Sequence, residues 1–201
     1  DVFHWVYQNR CKNGLNYILK GLPISSTLHA AAAADNTRLI LFCIGKNVDV
    51  NIKGATGLSP LHVAVERSRN DAIKILLAHQ RIDINSRDEN EETALHVAAE
   101  NGRYKQMKLL LEVENIDINA REKFGKTPLH FAAQEGYSKA IKTLLKQKNI
   151  IVNARDDQMA TPLHYAAQNG RSHAISILLA RPEIEVNARD EKGWTPLHYA
   201  A

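Results

Sequence analysis

The chain has 201 residues, 44% hydrophobic and 24% charged, which is enough apolar content to bury a sizeable core. Its net charge of +4 is mild, and Lys and Arg are interleaved with Asp and Glu, which argues against a nucleic-acid binder with a clustered basic face. No apolar run reaches the length of about 18 residues that marks a membrane span. The two cysteines, Cys11 and Cys43, have no Cys-x-x-Cys or Cys/His ligand spacing and read as free thiols of a reducing compartment.

The chain opens at Asp1 without a signal peptide and reads as a fragment of something longer. Phe3-His4-Trp5-Val6-Tyr7, followed by Tyr17-Ile18-Leu19, looks like a degenerate helix pair, with Val6-Tyr7 too bulky for close stacking and Gly21-Leu22-Pro23 as a short turn. Ser26-Thr27-Leu28-His29 begins a better unit, and Ala30 to Ala34 is a strong helix former. The pattern then returns as Ser59-Pro60-Leu61-His62, Thr93-Ala94-Leu95-His96, Thr127-Pro128-Leu129-His130, Thr161-Pro162-Leu163-His164 and Thr195-Pro196-Leu197-His198. The steps between these histidines are 33 and then 34 four times, so the chain is a repeat array. Within a unit, Thr127 suits a helix N-cap and Pro128 the first helical position, where a missing N–H costs nothing. Ala132-Ala133 allow helices to approach closely. Gly102, Gly136 and Gly170 mark the turn to a second helix; Asp35 and Ser68 replace Gly there and predict strained or differently shaped turns. The second helices, such as Asp71 to Leu77, Lys139 to Leu145 and Ser172 to Leu179, each carry one apolar stripe.

Loops of the form Ile82-Asp83-Ile84-Asn85, repeated at Ile116, Ile150 and Ile184, follow the second helices. Then come Arg87-Asp88, Arg121-Glu122, Arg155-Asp156 and Arg189-Asp190, opening short fingers that end at Gly57, Gly125 and Gly193. Glu91 and Met159 replace the fingertip Gly and predict two departing tips. The Arg/Asp ladder is expected to form inter-repeat ion pairs on a solvated edge.

The T-P-L-H-x-A units resemble the ankyrin repeat family over nearly the whole chain. The 34-residue variant, with Ile where the family's A-D-V-N loop has Ala, looks like arrays in effectors of intracellular bacteria. The resemblance implies an all-α solenoid of stacked helix-turn-helix repeats with short β-hairpin fingers. It places a single array over 1–201: a degenerate repeat without its finger at 1–25, repeats at 26–58, 59–92, 93–126, 127–160 and 161–194, and a truncated repeat at 195–201, after which the natural chain is expected to continue. It also implies that each registered His hydrogen-bonds backbone between repeats, as a buried ring would require. One His per repeat, set a repeat apart, does not make a metal site; His79 and His173 are expected at the surface.

No catalytic residues, metal ligands or cofactor are expected: there is no Gly-x-Ser-x-Gly, no Gly-rich phosphate loop, and no converging set of groups. The resemblance implies instead a non-catalytic module that binds a protein partner on a concave face of fingertips and first helices, as a cytoplasmic monomer without nucleic acid or membrane. The alternative is the ankyrin segment of a large multidomain effector or toxin that targets a host protein, in host cytosol or nucleus. Candidate contact residues on the tips are Leu58, Asn90, Glu92, Phe124, Lys126, Gln158, Met159, Lys192 and Trp194; on the first helices they are Arg67, Asn101, Gln134, Glu135, Gln168 and Asn169. Phe124, Met159 and Trp194 stand out as apolar residues at positions expected to be exposed. Phe131, Tyr165 and Tyr199 are expected in the core, facing the second helix.

Overall fold

The computed structural model describes residues 24–200. The degenerate repeat with His4, Val6, Tyr7 and Cys11 lies outside the described residues, as does Ala201. Among the described residues every regular element is a helix. The chain forms two compact units, 1–83 and 84–201.

In the first unit, α1 (Ile24–Ala33) pairs with α2 (Thr37–Gly45), and α3 (Pro60–Glu66) with α4 (Asn70–Leu77). The first helices α1 and α3 pack together, as do the second helices α2 and α4. The second unit repeats this: α5 (Ala94–Glu100) with α6 (Tyr104–Leu111), α7 (Pro128–Glu135) with α8 (Ser138–Leu144), and α9 (Pro162–Gln168) with α10 (Ser172–Leu179). α11 (Pro196–Ala200) continues the row of first helices. Each unit is therefore two layers of helices.

The cap residues explain why the first helices start where they do. Thr127 takes the backbone N–H of His130, and the His130 ring takes the N–H of Thr127, so two otherwise orphaned donors are satisfied reciprocally. Ser59/His62, Thr93/His96 and Thr161/His164 do the same. The next layer is apolar. Ala98, Ala99, Ala132, Ala133 and Ala166 are buried between first helices, while Met107, Leu110, Ile141, Leu144 and Leu178 fill the space beneath the second helices. Burying each such large side chain stabilises the fold by roughly 1.5–3 kcal/mol.

The turns between paired helices keep one shape whatever the residue. Asp35 (φ 56°) and Ser68 (φ 58°) adopt the left-handed conformation of Gly102 (φ 64°) and Gly170 (φ 62°), so the expected change of shape does not occur. Asp35 gains a contact there, since its carboxylate accepts the N–H of Ala72 at 2.7 Å. Gly102 is different in kind: a Cβ there would press on the ring of Tyr137.

Repeats are joined by side chains the sequence does not single out. Asn119 donates to the Asn149 carbonyl (2.8 Å) and accepts the Ile151 N–H (2.9 Å). Asn85 and Asn153 make the same double clamp, as does Asn51 within the first unit.

Candidate functional site

The fingers are five-residue hairpin turns, with no strand among the described residues. Asp156 N–H donates to the Ala160 carbonyl at one end, and Met159 N–H donates back to the Asp156 carbonyl across the tip. The acidic residue organises the turn. Asp156 Oδ1 accepts the N–H groups of Gln158 (3.0 Å) and Ala160 (2.8 Å), and Asp190 does likewise for Lys192 and Trp194. Asp88 serves Asn90 and Glu92, and Glu122 serves Lys126.

The expected Arg/Asp ladder of inter-repeat ion pairs holds only in part. The finger carboxylates of Glu122, Asp156 and Asp190 are buried on backbone donors rather than paired with arginine. The arginines instead donate to main chain one repeat on: Arg87 to the Arg121 carbonyl, Arg121 to Arg155, and Arg155 to Arg189. The inter-repeat ion pairs found among the described residues are Arg121–Asp157 (2.7 Å), Arg155–Glu185 (3.3 Å) and, away from the fingers, Arg171–Glu135 (3.9 Å). Carboxylates prefer convergent amides because these arrive preorganised by the turn, whereas a flexible Arg loses rotamer freedom in pairing.

Neighbouring fingers are stitched by backbone bonds, from Lys123 to Asn90, Asp157 to Phe124, and Glu191 to Gln158. The tips at Glu91 (φ 62°) and Met159 (φ 61°) share the left-handed conformation of Gly125 and Gly193, so they do not depart from the pattern. At Gly125 a Cβ would collide with the Arg121–Asp157 pair, which explains Gly there.

The registered histidines lock the fingers to the first helices. Thr127 N–H donates to His130 Nδ1 (3.0 Å), so the ring proton sits on Nε2, which donates to the Ala160 carbonyl at 3.1 Å. His96 reaches the Lys126 carbonyl, His164 that of Trp194, and His29 that of Leu58. Burial lowers the pKa of both His96 and His130 to about 4. Among the described residues no group of His, Cys, Asp and Glu is arranged to hold a metal ion.

The aromatic residues after these histidines face the fingers, not the second helices as expected. Phe131, Tyr165 and Tyr199 each set their ring edge-on to the His of the preceding repeat, at 5.7–6.0 Å between centroids. Phe131 is buried, while Tyr165 and Tyr199 are half-buried and donate to Asp156 and Asp190 at 2.6 and 2.7 Å. The sequence signal for these bonds is an Asp nine residues before the Tyr; where the pair is Glu122 and Phe131, no hydroxyl exists.

The candidate contact residues fall into three groups. Leu58 (half-buried) and Arg67 (exposed) belong to the first unit, and the others to the second. Phe124 is 64% exposed and Met159 and Trp194 each 46%; Asn90, Gln158 and Lys192 are exposed beside them. Trp194 is partly committed, its ring 5.3 Å from that of Tyr199. These apolar residues occupy three different places in successive fingers, so they do not form a register-aligned row. The third group lies at the base of the fingers and on the first helices, with Glu92, Lys126, Gln134 and Glu135 half-buried. Lys126 Nζ sits 4.5 Å from the Tyr165 ring centroid and 5.6 Å from that of Phe131, and donates to Gln134, which donates to Glu135. Desolvation, then the charges of Glu100, Asp88 and Glu122, raises the Glu92 pKa to about 7. Gln168 is exposed, whereas Asn101 and Asn169 bond back to their own helices through Val97 and Tyr165.

Two rows of short helices, a capping Thr-Pro-Leu-His and a finger bonded to its neighbours define a stacked repeat protein. A family model described as ankyrin repeats (three copies) matches residues 3–88, 28–122, 80–156, 106–190 and 148–201, and the chain belongs to this family. Ankyrin repeats are generally protein–protein interaction modules and typically non-catalytic. No curated protein matches the chain.

Proposed function

We propose that residues 84–201 bind a protein partner on the face made by the fingers and first helices, with Phe124, Met159 and Trp194 as apolar anchors. The observation that carries this is the exposure of three large apolar side chains on fingers that are bonded to one another. Aromatic residues and Met are enriched at interface cores, and a cluster of them held in water marks an interaction surface. The preorganised fingers lower the entropy lost on association. The half-buried Lys126, Gln134 and Glu135 supply polar contacts at the base of the same face.

The test is capture of partners by the wild-type chain, identified by mass spectrometry, followed by affinity measurement with variants. Phe124→Ala with Trp194→Ala is expected to weaken binding by about 2–4 kcal/mol. Normal binding by that variant, with loss in Gln134→Ala/Gln168→Ala, would move the contact onto the first helices. Loss of folding would mean that the aromatics serve packing.

A further inference from the structure

The second-helix side of the same unit carries an unrelated feature. Along the sequence positive and negative charges alternate, but the fold sorts them. Neither α6 nor α8 contains an acidic residue, and these helices pack side by side. Lys105 and Lys108 are exposed on α6, and Lys139 and Lys142 on α8, with Lys146 exposed just beyond its end. Residues three and four apart share one face of a helix, so each helix presents a stripe of cations. The stripes meet at one ring. Lys108 Nζ lies 5.9 Å and Lys139 Nζ 5.0 Å from the centroid of half-buried Tyr104.

Two ammonium groups from neighbouring helices drawn to one aromatic ring add to a positive surface that the ring offsets only in part. Among the described residues none of these lysines forms a salt bridge. An anionic group bound to these lysines would offset that charge. The geometry points to a docking surface for an acidic segment of a partner protein, with carboxylates on Lys108 and Lys139 beside Tyr104 and further carboxylates on Lys105 and Lys142. The chemistry favours a short acidic peptide over a nucleic acid or an anionic bilayer. The neighbouring helix α10 contains no lysine or arginine, Arg171 and Arg181 near its two ends are paired with Glu135 and Glu183, and Glu112 and Glu114 follow α6 directly, so the unneutralised cations do not continue as a track or plane. Tyr137, 40% exposed just before α8, is an exposed aromatic beside the lysines, and a lone tyrosine gives little apolar surface to enter a membrane. The surface is separate from the finger face and does not depend on it.

The probe is a short fluorescein-labelled peptide of alternating Glu and Ser, followed by fluorescence anisotropy with the 201-residue chain. Its Lys-and-Ser counterpart, an oligothymidylate, and vesicles of phosphatidylcholine with phosphatidylserine are the comparisons. The acidic peptide is expected to bind at low ionic strength and to be released by salt, because exposed charges are screened within about 10 Å at 0.1 M. Lys108→Gln with Lys139→Gln should weaken it about tenfold, and Lys108→Arg with Lys139→Arg should retain it, since both keep the exposed surface but only one keeps the charge. Phe124→Ala/Trp194→Ala and the finger change Lys123→Gln/Lys192→Gln should leave it within about twofold. Equal loss in the finger lysine variant would show non-specific attraction and overturn the site. No loss in Lys108→Gln/Lys139→Gln, or tighter binding of the oligonucleotide or vesicles than of the peptide, would overturn it as well.

Discussion

At the scale of single residues, His130 shows how one side chain fulfils two bonds and what that costs in acid. Its Nδ1 accepts from Thr127 and its Nε2 donates to Ala160, so a second proton has no place to go without breaking the cap. The ring is neutral when folded, with a pKa of about 4, against 6.5 for an unperturbed ring; His96 behaves alike. The unfolded chain therefore takes up protons first, and stability present above pH 6.5 is lost as pH falls toward 4. Each ring contributes on the order of 3 kcal/mol to that loss. Urea midpoints should fall steeply between pH 6.5 and 4.5, and His130→Gln should be less stable at pH 7 but flatter across this window. Glu92, with its raised pKa, acts in the opposite direction over this window, so the deciding comparison is the slope against His130→Gln: a wild-type slope no steeper than that of the variant would contradict the buried neutral tautomer. Met159 is a second case. Its left-handed backbone costs a non-Gly residue about 1–2 kcal/mol, and Gly restores only part of this because it loses more entropy on folding. Met159→Gly should raise stability by about 0.5–1 kcal/mol in thermal denaturation. Gly125→Ala, with the Arg121–Asp157 pair in its way, should lower it.

At the scale of the element, the finger is held by a carboxylate, and this ranks its substitutions. Asp156→Ala leaves the N–H groups of Gln158 and Ala160 and the Tyr165 hydroxyl without their acceptor. The expected cost is on the order of 3 kcal/mol, with faster amide exchange across residues 155–160. Tyr165→Phe removes one bond from the same network and should cost about 1 kcal/mol. If the two changes cost the same, the carboxylate is not the organiser of the turn. The helices obey different terms. The Thr-Pro-Leu-His start encodes the cap, the first turn and the buried Leu within four adjacent residues, so their outcome is legible before any fold is known. The orientation of Phe131, Tyr165 and Tyr199 is not, because either layer could accept an aromatic ring, and the preceding His decides between them.

At the scale of the molecule, stability and recognition reside in different atoms. Leu110→Ala opens a cavity beneath α6 at a fully buried site and should cost about 2–5 kcal/mol, read by urea denaturation. Phe124→Ala with Trp194→Ala removes exposed surface and should change stability by less than about 1 kcal/mol. A larger effect would make the tips part of the packing. The sequence by itself determined the period, the helix starts, the small residues between first helices and the buried leucines, because these follow from backbone preferences and from which face of a short helix is apolar. Only the tertiary structure decided what bonds to what across repeats. Asn119 clamps Ile151, Arg87 reaches the Arg121 carbonyl, and Lys108 and Lys139 share Tyr104, each pair more than 30 residues apart. Such partners are chosen by proximity after stacking, in competition with every other polar group within reach, and no local pattern along the chain records that choice.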